Sequence, residues 1–190
     1  IKSCLSYTFS VSNSQGTSLI KDRPFTAEMT RSIMLLKEKH YRPRMADYRI
    51  GVFFTGREQL GEGAKTTVPV YYANRWDIQP SDTAAYLRGE KVKPTKQIVF
   101  YIDNTFPEKW KPYLREGVTQ WNELFEQIGF KDVVAAKDFP TDDPEFDPDN
   151  IKYSCVRYAP SSIENAMGPS WVDPRSGEIL NASVYLYHNV

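Results

Sequence analysis

The sequence predicts a protein of the α+β class, in which a β-rich N-terminal region precedes a mixed sheet with one long helix. Three observations lead to this prediction. Residues 4–12, CLSYTFSVS, alternate strictly between apolar and polar side chains, as in a half-buried strand. Aromatic residues make up 14% of the chain, which favours sheets. A broad amphipathic pattern over residues 110–128 lies between two apolar runs and indicates a helix between strands.

The N-terminal half is predicted to consist of strands and turns. Residues 28–36 are expected to be extended, although their apolar residues also fit one face of a helix. Residues 47–54 and 66–76 are rich in β-branched and aromatic side chains, which is typical of strands. A loop bracketed by glycines, residues 56–63, is expected to join them.

A charged segment with two prolines and a glycine, residues 79–96, is the predicted boundary between two domains. We place the division near residue 95. The chain is then expected to comprise a β-rich N-terminal region, residues 1–95, and a second domain, residues 96–190.

A strand, a helix and another strand are predicted at the start of the second domain. Residues 96–104, KQIVFYIDN, suit a central strand that is covered on both faces. Gly129 and Phe130 have the pattern of a Schellman stop at the end of the helix. Residues 131–137 supply the next strand, so a βαβ unit with two parallel strands is expected. The apolar helix face is formed by residues three or four apart: Trp110, Leu114, Val118, Trp121, Leu124, Phe125 and Ile128.

A hairpin is predicted in the last part of the chain, where residues 166–172 pair with residues 178–187 across the turn DPRSG. Its first strand has small side chains and contains Pro169, which cannot donate to a ladder and therefore belongs at a sheet edge. An edge strand can bind an extended peptide by β-augmentation, although an ordinary capped edge explains the pattern equally well. The candidate substrate-binding residues are Ala166, Met167, Gly168, Pro169, Ser170 and Trp171.

Charge and composition exclude several classes of function. The 24 basic and 24 acidic residues balance, so neither nucleic acid nor an anionic membrane is expected as the main partner. No apolar run reaches the ~20 residues that span a bilayer. The chain has two histidines, His40 and His188, and no His-Glu-x-x-His motif, so it cannot assemble a three-histidine zinc site. Cys4 and Cys155 are far apart in sequence and could pair, but free thiols are the favoured interpretation.

The acidic stretch in residues 142–149 is a possible calcium site, because closely spaced carboxylates can bind Ca²⁺. It lacks the spacing and the glycine of an EF-hand, so a solvated loop is the favoured interpretation. The carboxylates belong to Asp142, Asp143, Glu145, Asp147 and Asp149.

Several motifs resemble one family of proteins. The segments IVFYIDNTFPEKW, GVTQWNELFEQIGF, NAMGPSWVDPRSGEIL and YHNV follow one another as in the region upstream of the zinc-binding helix of large bacterial zinc-dependent metallopeptidases of metzincin type. The earlier segments YRPRMADYRIGVFF and NRW are similar to the domain of unknown function that precedes the catalytic region there. The resemblance covers most of residues 30–190.

The resemblance implies a metzincin-like twisted sheet, in which residues 166–171 are the antiparallel edge strand beside the substrate. In such enzymes zinc is held by two histidines of a His-Glu-x-x-His helix and a third histidine, and the glutamate is the general base. None of these residues is present, so this chain is expected to end before that helix, to hold no zinc and to be inactive alone. The parent protein is expected to bind zinc, to cleave peptides or proteins, and to be secreted, periplasmic or on the cell surface.

Two further expectations concern partners. A non-catalytic surface or peptide-binding module that uses the same hairpin edge is the alternative function. A metzincin-like sheet without its second helix would expose one face, so we expect self-association unless the N-terminal region covers that face.

Overall fold

The computed structural model describes residues 1–38, 41–61, 63 and 65–189. Its strands and short helices confirm the predicted α+β class. By compactness the chain divides into two units, Ile1–Leu35 and Leu36–Val190. The domain boundary near residue 95 remains a prediction.

The first unit is an antiparallel ribbon of β1 (Lys2–Ser12) and β2 (Ser18–Thr30). The alternating pattern of residues 4–12 is therefore confirmed as a strand. The apolar side chains share one face, where the rings of Tyr7 and Phe25 stack with centroids 5.6 Å apart. Since β2 ends at Thr30, only the beginning of the extended segment predicted over residues 28–36 is a strand.

The second unit begins with a two-stranded sheet of β3 (Phe54–Gln59) and β4 (Val68–Ala73). The strand predicted at residues 66–76 is confirmed, whereas the strand predicted at residues 47–54 is wrong. The Asp47 carboxylate accepts a hydrogen bond from the backbone N–H of Arg49 at 3.0 Å, which holds this segment in a turn. The actual strand, β3, uses residues that were predicted to form a loop.

The main sheet has six strands in the order β6-β5-β7-β10-β8, with β9 also paired to β10. Four strands, β5, β6, β7 and β10, are parallel, while β8 and β9 run antiparallel to β10. The βαβ unit and the final hairpin are therefore both confirmed. The strands are β5 (Ile98–Ile102), β6 (Val134–Asp138), β7 (Ser154–Ala159), β8 (Ala166–Met167), β9 (Ser170–Val172) and β10 (Ile179–Tyr187).

The helical residues form α1 (Thr83–Leu87), α2 (Lys111–Thr119) and α3 (Asn122–Gln127). The prediction of one long helix is corrected here, because α2 and α3 are separate. The Thr119 hydroxyl donates to the carbonyl of Arg115 at 2.8 Å, and the Asn122 amide exchanges two 2.8 Å hydrogen bonds with the backbone of Val134. The Thr119 hydroxyl thus bonds back to the helical backbone, whereas the Asn122 amide joins the start of α3 to β6.

The predicted Schellman stop is confirmed at the end of α3. Gly129 has φ +87°, and its N–H donates to the carbonyl of Glu126 at 3.2 Å. The N–H of Phe130 donates to the carbonyl of Phe125 at 3.0 Å. The chain thus turns directly from α3 toward β6.

One face of the main sheet, the helix face, packs against α2 and α3. Ile102, Phe106 and Val156 form a buried cluster here that includes Leu114 and Val118 from α2. A neighbouring cluster joins α1 and the segment after it to β5 and to residues 130–134: Ala85, Val92, Ile98, Phe130, Val133 and Val134. Both clusters contain a residue of β5, which therefore lies at the centre of the packed helix face.

The opposite face is covered around β5, β7 and β10 by residues 139–153, which we call the acidic loop. The ring of Phe146 packs against Tyr101 and Tyr153, with centroids 5.2 and 4.7 Å away. From β10, the amide of Asn181 donates to the carbonyls of Ile151 and Tyr153 at 2.9 and 2.7 Å. The acidic loop therefore covers part of this face. That a sheet face is exposed without its second helix remains a prediction. Self-association remains a prediction.

Candidate functional site: an open sheet edge

The six residues predicted to bind substrate lie next to one another on the outermost strand of the main sheet. Met167 is opposite Tyr185 and Ser170 is opposite Ala182, so β8 and β9 share one register with β10. Between them, the N–H of Ser183 donates to the carbonyl of Pro169 at 3.0 Å. Residues 165–171 therefore form one continuous strand, which we call the edge strand.

Alternation along the edge strand determines which backbone groups face β10. The carbonyl of Asn165 accepts from the N–H of Tyr187 at 3.3 Å, and Pro169 likewise pairs with Ser183. Odd-numbered residues thus direct their backbone groups toward β10. In an antiparallel ladder the intervening residues direct theirs the other way. The N–H and C=O groups of Ala166, Gly168 and Ser170 therefore point to the open side of the sheet.

The position of Pro169 preserves this open side. Because Pro169 faces β10, its missing N–H removes a hydrogen bond within the ladder and no outward donor. The larger side chains Met167 and Trp171, each 44% exposed, lie on the sheet face that carries Tyr185. The small side chains of Ala166 and Ser170 lie on the opposite, helix face.

Two features bound the open edge. At its start, the backbone N–H of Ala166 donates to Oδ1 of Asn165 at 2.8 Å. At its end, the pairing of β9 with β10 shifts between Asn181 and Ile179. The three outward residues thus lie within the five residues from Ala166 to Ser170, or about 14 Å of extended chain.

The turn between β9 and β10 is fastened to residues 37–76. The guanidinium of Arg175 forms a bidentate pair with Asp173 and also donates to the carbonyl of Lys37 at 2.9 Å. Gly177 has φ +77°, and its carbonyl accepts from the N–H of Arg75 at 3.0 Å. A Cβ on Gly177 would lie 2.7 Å from the carbonyl oxygen of Ala73. These contacts therefore fix the direction in which the edge strand enters this turn.

A carboxyl group beside this turn has an altered affinity for protons. Burial raises the pKa of Glu178, and the nearby carboxylates of Asp77 and Asp173 raise it further. Since the folded chain holds this proton more tightly than the unfolded chain, ionisation of Glu178 opposes folding as the pH rises through its pKa.

An apolar groove of about 290 Å³ runs along the helix face, between α2 and the β7–β10 half of the sheet. Tyr113 and Trp121, which are 74% and 60% exposed, form its outer wall. Val156, Val184 and Leu186 form its floor. This part of the sheet is the least covered by the described helices.

The described residues offer no group of three or more His, Cys, Asp or Glu side chains that could hold a metal ion. Burial raises the pKa of the Cys155 thiol to about 12, so it stays protonated at neutral pH and is a poor nucleophile. The two cysteines are free, as predicted, with Cys4 exposed. His188 stacks on Trp110 and its Nδ1 lies 2.5 Å from the hydroxyl of Tyr158, while His40 is outside the described residues.

In the acidic loop, Asp143 and Asp147 accept hydrogen bonds from the backbone N–H groups of Glu145 and Asp149. Asp149 pairs with Arg157 at 2.6 Å. These contacts shape and fasten the loop over the sheet. No helix in the described part of the chain has the length and apolar character needed to cross a bilayer.

Comparison with known proteins identifies one similar family. Residues 1–81 match the family described as a domain of unknown function, DUF5117. This match supports the prediction that the upstream part of the chain is a domain of unknown function. No curated protein and no solved structure matches the chain significantly.

Proposed function

We propose that this chain is the scaffold part of a zinc-dependent metalloendopeptidase of metzincin type, and that its edge strand binds the main chain of a peptide substrate. The observation that carries the proposal is the open edge beside a mostly parallel sheet, where the alternate residues Ala166, Gly168 and Ser170 direct backbone groups outward and the N–H of Ala166 is held by Asn165. A substrate that pairs there is held in an extended conformation, as peptide cleavage requires.

The apolar groove supports the same proposal. A sheet face with exposed Tyr113 and Trp121 beside it needs a cover, and a second helix that packs alongside α2 would provide one. In the proposed enzyme this is the zinc-binding helix, contributed by chain outside residues 1–190. That chain would also supply the metal ligands, since residues 1–190 contain two histidines and no His-Glu-x-x-His motif.

The residues of this chain then bind and orient the substrate, and bound zinc supplies the Lewis-acid chemistry. The backbone groups of Gly168 and Ser170 pair with the substrate main chain. The hydrogen bond from the N–H of Arg75 to the carbonyl of Gly177 helps to fix the direction of the edge strand. We further propose a secreted, periplasmic or cell-surface location for the parent protein.

The first test uses the complete product of the gene. We expect one zinc ion per chain by elemental analysis, and cleavage of fluorescein-labelled casein that is lost on chelation and restored by zinc. If the purified protein contains no zinc and leaves casein intact with added zinc, the peptidase proposal fails.

The second test addresses the edge strand through Ser170→Pro. The substitution removes an outward N–H and places a ring on the open side, while the ladder with β10 remains intact. We expect kcat/KM for labelled casein to fall at least tenfold, because a main-chain hydrogen bond and close approach are both lost. The zinc content should not change.

Ser170→Ala is the matched control, since it keeps the backbone N–H and should retain activity within about twofold. Equal activity of Ser170→Pro and the wild type would show that substrate does not pair with this edge. The alternative function, a non-catalytic peptide-binding module, predicts that Ser170→Pro weakens peptide binding in a protein that needs no metal.

A further inference from the structure

The start of the open edge is already occupied by a side chain of the same strand. The N–H of Ala166 points away from β10, and Oδ1 of Asn165 accepts its hydrogen bond at 2.8 Å. An amide oxygen therefore lies where the main-chain carbonyl of an added peptide would lie.

We propose that Asn165 is a positioning residue that limits how much peptide the edge strand can bind. This inference rests on the proposed function of the edge. The side-chain amide of Asn165 imitates one peptide group of an incoming strand and competes with it for the Ala166 N–H. A bound peptide then donates to and accepts from Gly168 and Ser170 first.

The second boundary of the open edge, near Trp171, sets the length of peptide that can bind. The register shift between Asn181 and Ile179 ends regular pairing just after Trp171. With Asn165 at one end and this irregularity at the other, the edge fits an extended peptide of about five residues. A longer peptide gains a hydrogen bond from the Ala166 N–H only if the Asn165 amide moves away.

Removal of the Asn165 amide tests the inference. The probe is a fluorescein-labelled peptide of about seven alternating valine and threonine residues, with a lysine at one end and a glutamate at the other. We expect Asn165→Ala to bind it about threefold to tenfold more tightly than the wild type, because one more net hydrogen bond becomes possible. Asn165→Asp keeps an acceptor at the same place and should bind within about twofold of the wild type.

Hydrogen exchange of the Ala166 amide separates this role from a purely structural one. In Asn165→Ala the amide should exchange faster in the free protein and be slowed by the peptide. In the wild type it should be protected before any peptide is added. If Asn165 served only to stabilise the strand, Asn165→Ala would bind the peptide more weakly than the wild type.

Ser170→Pro distinguishes failure of this inference from failure of the proposed function. If Ser170→Pro abolishes binding of the probe but Asn165→Ala binds no more tightly than the wild type, Asn165 does not limit the edge and the inference is overturned. If Ser170→Pro binds the probe as the wild type does, the edge does not bind peptides and both proposals are overturned.

Discussion

Replacement of Asn181 by alanine should lower the free energy of unfolding by about 2–4 kcal/mol. The side chain is almost completely buried, and its amide donates to the carbonyls of Ile151 and Tyr153. The substitution leaves both part-buried acceptors without these donors, and each loss costs about 1–3 kcal/mol. Urea denaturation followed by tryptophan fluorescence measures the change.

The same variant should loosen the acidic loop, because Asn181 joins the loop to the centre of β10. We expect faster cleavage of the loop by a protease under native conditions. Asn150→Ala is the matched control: this exposed amide lies in the loop and accepts only a local hydrogen bond, from the N–H of Lys152, so its loss should cost less than about 1 kcal/mol. Wild-type stability of Asn181→Ala would contradict the role assigned to this side chain.

Replacement of Gly177 by alanine should also cost about 2–4 kcal/mol. A non-glycine residue at φ +77° costs about 1–2 kcal/mol by itself. The added Cβ would also lie 2.7 Å from the carbonyl oxygen of Ala73 and 3.2 Å from Cβ of Tyr72, so the turn must move away from β4. Because that movement disturbs the hydrogen bonds of Arg75, we expect weaker peptide binding at the edge strand as well.

Gly89→Ala separates the two contributions to this effect. Gly89 has φ +85°, and a Cβ there would meet no atom within 4 Å. Its substitution should therefore cost only the backbone term, about 1–2 kcal/mol, and leave peptide binding unchanged. Equal losses of stability in Gly177→Ala and Gly89→Ala would indicate that the contact with Ala73 adjusts freely.

Much of the fold could be predicted because its signals are local. Strict alternation identified β1, a continuous apolar run identified β5, and Gly129 identified the end of α3. Local patterns failed where side chains compete with the backbone for hydrogen bonds. Asp47 turns a segment of strand-like composition, and Thr119, whose hydroxyl bonds back to the carbonyl of Arg115, lies where a helix of unbroken apolar periodicity divides.

The position of the candidate site in the sequence could be predicted, but its hydrogen bonds could not. Pro169 and the small residues around it indicated a sheet edge. Asn165, in contrast, was recognisable in the sequence only as a polar residue before a strand. Asn181 was visible only as a single amide within the apolar run of β10. Its partners lie 28 and 30 residues away, so the contact could not be inferred from neighbouring residues.

The sequence by itself determined the α+β class, the βαβ unit, the final hairpin and the lack of a His-Glu-x-x-His motif. The tertiary structure alone decided that Ala166, Gly168 and Ser170 face outward, that Asn165 occupies the first outward donor and that the acidic loop covers part of one sheet face. The physical reason is that periodicity fixes the faces of a strand, whereas its register comes from pairing with strands distant in sequence.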